Sequence, residues 1–284
     1  MAFDPMVIDK RPRSLAHMFL AWVETQPDAD AYYYPVEGGW QQSSWAHTHD
    51  LVQGLAAGLV ALGIQPEDRV AIIASTRFES VLAFLATQFA GGAVTALDPA
   101  ATDAEVAHVL RDSGARVVIA EDFDTVHLLW RIRAEIRDVT KVVQMDGDYP
   151  DARVLTLEGL LALGHEQLSE HPRVIAQRLY AVRRQGLAAI VYPPEGKEPR
   201  RGVRLRHSAL TYQGAAVASL GLLGGSDLLH LCLPLAYTYG QALLAVQLAC
   251  GFPAALEGRP EHVVDHLAVV RPTWVGLTPR LLEE

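Results

Sequence analysis

The sequence predicts an α/β fold with layered, mainly parallel sheets, and three features carry that prediction. Strand-like apolar runs alternate with helix-length amphipathic stretches from Arg69 to Met145, the beat of successive βαβ units. Several runs, Arg69 to Ala74 and Leu228 to Leu235 among them, are almost continuously apolar, as strands buried on both faces are. Half of the 284 residues are hydrophobic and 20% are charged, which is globular composition with ample chain for a large core. The length fits about two domains. A division at 185/186 gives a first α/β subdomain over 1–185 and a second over 186–284.

Taken in order, Ser14 caps a helix to about Gln26 whose apolar face carries Leu15, Met18, Phe19 and Trp22. Ala31 to Val36 and Trp40 to Trp45 read as a hairpin turned at Gly38-Gly39. A helix then runs to Leu62 and closes at Gly63. Arg69 to Ala74 is a strand, Glu79 to Gly91 a helix and Ala93 to Leu97 a strand. Thr102 caps a helix to Ser113, followed by a strand over Arg116 to Ala120, an arginine-rich helix and a strand over Lys141 to Met145. Asp146 to Asp151 is an acidic, turn-rich break. Thr156 to Gly164 and Pro172 to Gln185 read as helices. Beyond them come a helix capped by Ser208, the strand over Leu228 to Leu235 and a helix over Tyr237 to Cys250. Pro253 to Leu256 is a short strand, Pro260 to Val270 a helix and Thr273 to Leu277 a last strand.

Composition excludes some roles. A formal net charge of −9 argues against a general nucleic-acid or anionic-membrane surface. The two cysteines, Cys232 and Cys250, both lie in apolar surroundings and read as buried free thiols, which fits a reducing compartment. The start, MAFDPMVIDKRPR, lacks the apolar core of a signal peptide, and no apolar run reaches the ~20 residues of a membrane helix. A cytoplasmic protein without a membrane span is expected.

The stretch around which the chain is organised is Leu187 to His207, LAAIVYPPEGKEPRRGVRLRH. Two β-like ends flank a ten-residue connection, Pro193 to Gly202, rich in turn formers and charge. Strand, glycine-bearing loop and strand is one way to present backbone N–H groups to a phosphate. From Tyr192 to His207 the stretch resembles, without a gap, the phosphate-binding motif YTSGTTGxPKGVxLTH of the adenylate-forming superfamily: acyl-CoA synthetases, firefly luciferase and peptide-synthetase adenylation domains. Tyr192, Gly202, Val203, Leu205 and His207 keep the frame. The family's T-S-G-T-T-G positions fall on Pro193, Pro194, Glu195, Gly196, Lys197 and Glu198.

That loop chemistry matters, because wrapping a triphosphate takes glycines, hydroxyls and free N–H groups. The two prolines remove two donors and fix φ. The two glutamates put negative charge where phosphate would sit, and like charges at about 4 Å repel by ~1 kcal/mol in water and ~4 kcal/mol at an effective dielectric near 20. The family lysine becomes Arg201, which keeps the charge but not the reach. Gly196, Lys197, Arg201 and Gly202 are thus the candidate, degenerate ATP-binding residues, and a plain solvated hairpin connection is the alternative.

Two further stretches extend the resemblance. WQQSSWAHTHDLVQGLAAGLVALGIQPEDRVAI looks like the family's opening, which closes on G-x-x-x-G-D-R-V-A, and FLATQFAGGAVTALDPAATDAEVAHVLRDSGARVVIAE is similar to its A-x-x-K-A-G-A-V-x-x-P-L-D-P segment. Gly92, Asp98 and Pro99 there shape a strand-to-helix turn. LPLAYTYG, Leu233 to Gly240, looks like the family's P-x-x-H-x-x-G segment beside the acyl pocket. The resemblance implies substrate-binding roles for Tyr237, Tyr239 and Gly240, with a core tyrosine at a strand-to-helix turn as the alternative. RPTWVGLTPRLLEE, Arg271 to Glu284, resembles the P-T-x-x-x-x-V-P segment, a sheet floor in the family.

Arg183, Arg184, Arg200, Arg201, Arg204 and Arg206 could bind a phosphate, a CoA tail or an acidic partner, or form a charged edge against strand pairing. His47, His49 and Asp50 do not share a helix face, so a surface helix start fits better than a metal site. Gly54 and Gly58 read as a helix-packing detail, Gly196-Lys197 is no Walker motif, and no nucleophile pattern is present. No catalytic residue and no metal ligand is expected.

The resemblance spans about Ser14 to Glu284 but only the front of the family's pattern, so the fold implied is its N-terminal portion, with the second subdomain incomplete and the C-terminal lid domain absent. The family's cofactors are ATP and magnesium, with CoA as acyl acceptor in many members. Two functions are expected from this. One is an acyl-CoA synthetase-like protein of the fatty or aryl acid class, inactive in ATP-dependent adenylation by itself, that binds an acyl group, CoA or a protein partner. The other is a truncated or split ligase whose missing part is supplied separately. A homodimer or partner over the incomplete sheet edge is also expected.

Overall fold

The computed structural model describes residues 4–193 and 201–277. Asp4 caps a short helix, α1 (Pro5–Asp9), in what the sequence presents as a polar lead. Ser14 caps α2 (Leu15–Thr25), which buries Leu15, Met18 and Phe19. β1 (Asp30–Val36) and β2 (Gly39–Ser44) form the expected hairpin, with Gly38 and Gly39 at positive φ. The Ser44 hydroxyl accepts the His47 N–H at 3.1 Å at the start of α3 (Trp45–Ala61), the surface helix start expected of HTHD. β3 (Arg69–Ile73), α4 (Phe78–Phe89) and β4 (Ala93–Leu97) follow.

A complete capping box between Thr102 and Glu105 opens α5 (Asp103–Ser113), and Gly114 in the left-handed region ends it. β5 (Ala115–Ala120), α6 (Phe123–Arg131, capped by Asp122) and β6 (Lys141–Gln144) complete the beat. Next come β7 (Val154–Thr156), α7 (Leu157–Glu170), α8 (Val174–Ala181), β8 (Leu187–Val191) and β9 (Val203–Arg206). The chain continues with α9 (His207–Ala218), β10 (Leu229–Leu231), α10 (Thr238–Cys250), β11 (Ala254–Leu256), α11 (Pro260–Val270) and β12 (Trp274–Val275).

Besides α1, other elements depart from expectation, among them β7, α7 and β10. β7 is too short to show a period in the sequence. α7 continues through Gly164 to Glu170, because that glycine is a contact point rather than a stop. β10 covers three residues instead of eight, since Pro234 offers no N–H and the chain turns there with the Tyr237 N–H on the Pro234 carbonyl at 3.1 Å.

The chain forms two compact units, and they are interleaved rather than divided at 185/186. One holds Met1–His49, Ser75–Phe78 and Ser208–Glu284; the other holds Asp50–Ala74 and Glu79–His207. Pairing explains the difference: β8 joins β4 and β9 joins β8, so residues beyond 186 complete a sheet begun at Arg69.

The second of these units is built on a seven-stranded sheet of order β7-β6-β5-β3-β4-β8-β9, parallel except for the antiparallel edge strand β9. Its core joins Ala71, Ile73, Leu97, Val106, Leu110, Val118, Ile190 and Tyr192. Gly54 and Gly58 on α3 meet Gly164 and Leu160 on α7 so closely that a methyl group at any of the three glycines would collide with the facing helix. The first unit has a five-stranded sheet of order β12-β10-β11-β1-β2, parallel except for β2. Trp45 anchors its aromatic core, with the Phe19, Tyr32 and Trp22 rings at 5.4, 6.2 and 6.2 Å. The Trp22 indole N–H donates to the Leu248 carbonyl at 2.7 Å, fastening α2 to α10.

Candidate functional site

Of the candidate loop residues, Gly196 and Lys197 lie outside the described residues, as do Pro194, Glu195 and Glu198. Arg201 and Gly202 are described, and Arg201 is exposed. The flanks are closely held. All five residues of β8 are buried, and they deliver Tyr192, only 7% exposed, to the point where the connection starts. The Tyr192 hydroxyl donates to Asp112 Oδ2 at 2.6 Å, and the His108 ring lies edge-on at 6.2 Å. Burial, reinforced by the Asp112 carboxylate, holds this phenol well above the ordinary tyrosine range.

Gly202 closes the connection against that ring. A Cβ there would come within 2.7 Å of Ile190 Cγ2 and 2.8 Å of Tyr192 Cζ, so no other residue fits without displacement. From Gly202 the chain enters β9, which pairs Val203 with Val191 and Arg204 with Ile190. The structure thus brings Tyr192 and Gly202 together, while their sequence separation spans the whole connection. β9 is the sheet edge and exposes Arg204 and Arg206. Arg206 donates to Gln185 Oε1 at 3.0 Å. This is the charged edge weighed from the sequence, and cations on an edge strand discourage pairing with another chain.

The second candidate group belongs to the other compact unit. Tyr237 stands at the N-cap of α10, half-buried and with no side-chain cap hydrogen bond; Tyr239 is 50% exposed; Gly240 is buried. Gly240 is fixed by contact, since a Cβ would meet the carbonyls of Leu233 and Pro234. Side-chain bonds to backbone carbonyls hold the approach to the helix: Thr76 Oγ1 donates to the Leu233 carbonyl at 2.8 Å and Gln241 Nε2 to the Leu235 carbonyl at 2.9 Å. Thr76 and Gln241 are buried polar residues that sequence reading passed over. Their only signal was a hydrophilic residue inside an apolar stretch, and that has many causes.

A buried charged cluster in this unit was also missed. Glu257, 2% exposed, accepts from Arg259 at 2.9 and 2.7 Å and lies 3.5 Å from the His266 ring. Burial alone would raise its pKa, but the Arg259 bonds outweigh that and hold it below the ordinary range. His230, fully buried on β10, has no hydrogen-bond partner for either ring nitrogen among the described residues. Burial, aided by His266 and opposed by Glu257, pulls its pKa down to about 4. Among the described residues no group of three or more His, Cys, Asp or Glu side chains is placed to hold a metal ion. Cys232 is buried and Cys250 only half-buried; both thiols are free, and burial raises each to about 11. Neither is therefore a thiolate near neutral pH.

Comparison with known proteins agrees with this fold. The family model described as AMP-binding enzyme matches residues 19–192. The long-chain-fatty-acid–CoA ligase FadD15 of Mycobacterium tuberculosis is 28% identical over 95% of this chain, and the match takes in 44% of that protein. Its counterpart in Mycobacterium bovis is 26% identical over the same shares. Among solved structures, the anthranilate CoA ligase AuaEII in complex with anthranoyl-AMP superposes with a TM-score of 0.80 at 16% identity, covering 94% of this chain and 50% of that one. A long-chain-fatty-acid–CoA ligase (FadD1) from Archaeoglobus fulgidus gives 0.77 at 18% identity, covering 96% and 53%. The chain therefore spans about half the length of the relatives it matches. No helix among the described residues is long and apolar enough to cross a membrane. By fold and by family match, the chain belongs to the AMP-binding enzyme family of adenylate-forming proteins and corresponds to their N-terminal portion.

Proposed function

We propose that this chain is an acyl-CoA ligase-like protein that keeps the family scaffold to bind an acyl group, CoA or a protein partner, and does not adenylate a carboxylic acid by itself. One observation carries the reading: the positions that cradle the nucleotide phosphates in the family hold Pro193, Pro194, Glu195 and Glu198. This donor set does not fit a triphosphate with magnesium. It lacks two N–H groups, contains no hydroxyl and adds two negative charges where the transferring phosphoryl group needs positive compensation. The frame around it is intact, since Tyr192 and Gly202 remain in contact and Tyr192 is tied to Asp112. Loss of the loop chemistry on a retained frame supports a binding role over general decay. Fatty or aryl acids are the substrate class, from the ligases this chain resembles, and Tyr237, Tyr239 and Gly240 are the proposed acyl-side contacts.

Pyrophosphate exchange by the full chain, with a panel of fatty and aryl acids, tests the inactive assignment. Background exchange is expected, and acid-dependent exchange refutes it. Thermal stabilisation by an acyl-CoA then distinguishes ligand binding from a scaffold that engages only a protein.

A split or truncated ligase is the second reading, favoured by the match to FadD15 over 95% of this chain. It requires that the missing part, added in trans, restore acyl-adenylate formation. Co-purification with a polypeptide supplying the remaining family segments, together with restored exchange, would establish it.

A further inference from the structure

At the end of β8 away from Tyr192, the N-terminal ends of the parallel strands β3, β4 and β8 frame a cavity of about 270 Å³. Its polar lining comes from Glu67, Arg178, Arg183 and His207. Five residues of β8 separate it from the connection, or about 16 Å at the rise of a strand, so it is distinct from the candidate nucleotide loop.

Arg178 is the unusual member. Its Nη1 is buried without a hydrogen-bond partner among the described residues, and Nη2 reaches only Gln65 Oε1, at 3.5 Å. Among the described residues it forms no ion pair. Burial lowers the pKa of this guanidinium even though Asp68 opposes the shift. Asp68 itself is engaged, by the Gln65 N–H at 3.0 Å and by Arg116 at 3.5 Å. Arg178 as a whole is half-buried, and a cation partly withdrawn from water is costly unless an anion approaches it. Arg183 is exposed at the cavity and adds a second guanidinium.

Glu67 supplies the opposing charge, and its backbone shows how firmly it is placed. It sits at φ 64, in the left-handed region that side chains avoid, where the family pattern has the glycine of G-D-R-V-A. Its Oε1 accepts the Leu187 N–H at 3.1 Å, which anchors the start of β8. Two guanidiniums against one carboxylate leave a surplus positive charge among the side chains that line the cavity.

We infer that this cavity is an oxyanion site, in which Arg178 as the inner donor and Arg183 as the rim donor hold a small compound bearing a carboxylate or phosphate group. Guanidinium forks match both groups in geometry and charge. The volume lies just below that of drug-sized pockets, which points to a compact ligand and not to a nucleotide.

The test is calorimetric titration of the full chain with sodium phosphate and with sodium acetate, each against sodium chloride at matched ionic strength. Saturable binding of at least one anion is expected, weakened about tenfold or more by Arg178→Gln and by Arg183→Gln. Saturation by phosphate alone assigns the site to phosphate compounds, and saturation by acetate alone assigns it to carboxylates. Arg183 is exposed, so Arg183→Gln decides the matter even if Arg178→Gln fails to fold. Heats equal to those of chloride for both anions, or affinity unchanged in Arg183→Gln, would overturn the inference.

Discussion

The Tyr192 hydroxyl donates a 2.6 Å hydrogen bond to the Asp112 carboxylate, which ties the end of β8 to the last turn of α5. With Gly202 lying on the same ring, this pair fixes both ends of the connection between β8 and β9. Tyr192→Phe is expected to lower unfolding free energy by about 1.5–3 kcal/mol, the range for a bond to a charged acceptor. Gly202→Ala should cost about 1–3 kcal/mol through overpacking against the ring. Urea melts check both. If Gly202→Ala is neutral, the contact does not constrain the connection.

Alkaline pH should unfold this protein through its buried phenols. Tyr32 is raised by burial, and Tyr192 by burial and Asp112. Folded pKa values above the unfolded value of about 10 mean that the folded chain holds more protons at high pH. The stabilisation is therefore complete below about pH 10 and lost as pH rises further. Tyrosinate absorbance followed alongside circular dichroism should show a late ionisation step coincident with unfolding. Full ionisation of all tyrosines with the fold intact would contradict the assignment.

Acid acts through His230 in the opposite direction. Its folded pKa of about 4 lies below the unfolded 6.5, so the unfolded chain binds the extra proton between those values. Stability from this residue is full above pH 6.5 and decreases as pH falls towards 4. Going from pH 7 to 5 should cost on the order of 2 kcal/mol from this group. His17, also lowered to about 4 by burial and by Arg13, acts in the same sense. His230→Leu should therefore reduce the loss between pH 7 and 5 without abolishing it. An unchanged loss would remove His230 from the account.

Close packing of α3 on α7 makes a further prediction. Gly164→Val should destabilise by 1–3 kcal/mol or more, because its side chain would enter the backbone of Gly54 and Gly58. A comparable substitution at Gly225, which has no positive φ and nothing within 4 Å of a new Cβ, serves as the control for adding a side chain without a collision. Equal effects at the two sites would show that the interhelical contact is unimportant.

Much of this fold was legible because its signals are local. Thr102 with Glu105, Ser14, Gly63 and Gly114 mark helix ends by chemistry that needs no tertiary partner. The continuous apolar runs announced buried parallel strands, and Gly54 with Gly58 announced a helix contact. Order within the sheets was not legible, since nothing near Leu187 states that β8 will pair with β4, about ninety residues earlier. The same holds for the interleaved units. At the candidate site, Tyr192 and Gly202 were marked by the family motif, yet the Tyr192 bond to Asp112 and the contact of Gly202 with the ring depend on the folded path. Glu67 and Arg178 carried no sequence signal as a pair, because α8 and the turn before β3 meet only in three dimensions.

The central claim concerns residues 193–198, and calorimetric titration of the full chain with ATP and magnesium tests it most directly. With prolines and carboxylates in place of bare amides and hydroxyls, no saturable heat is expected into the millimolar range. Micromolar affinity, abolished by substitution of Arg201, would contradict the claim and restore a nucleotide-binding loop.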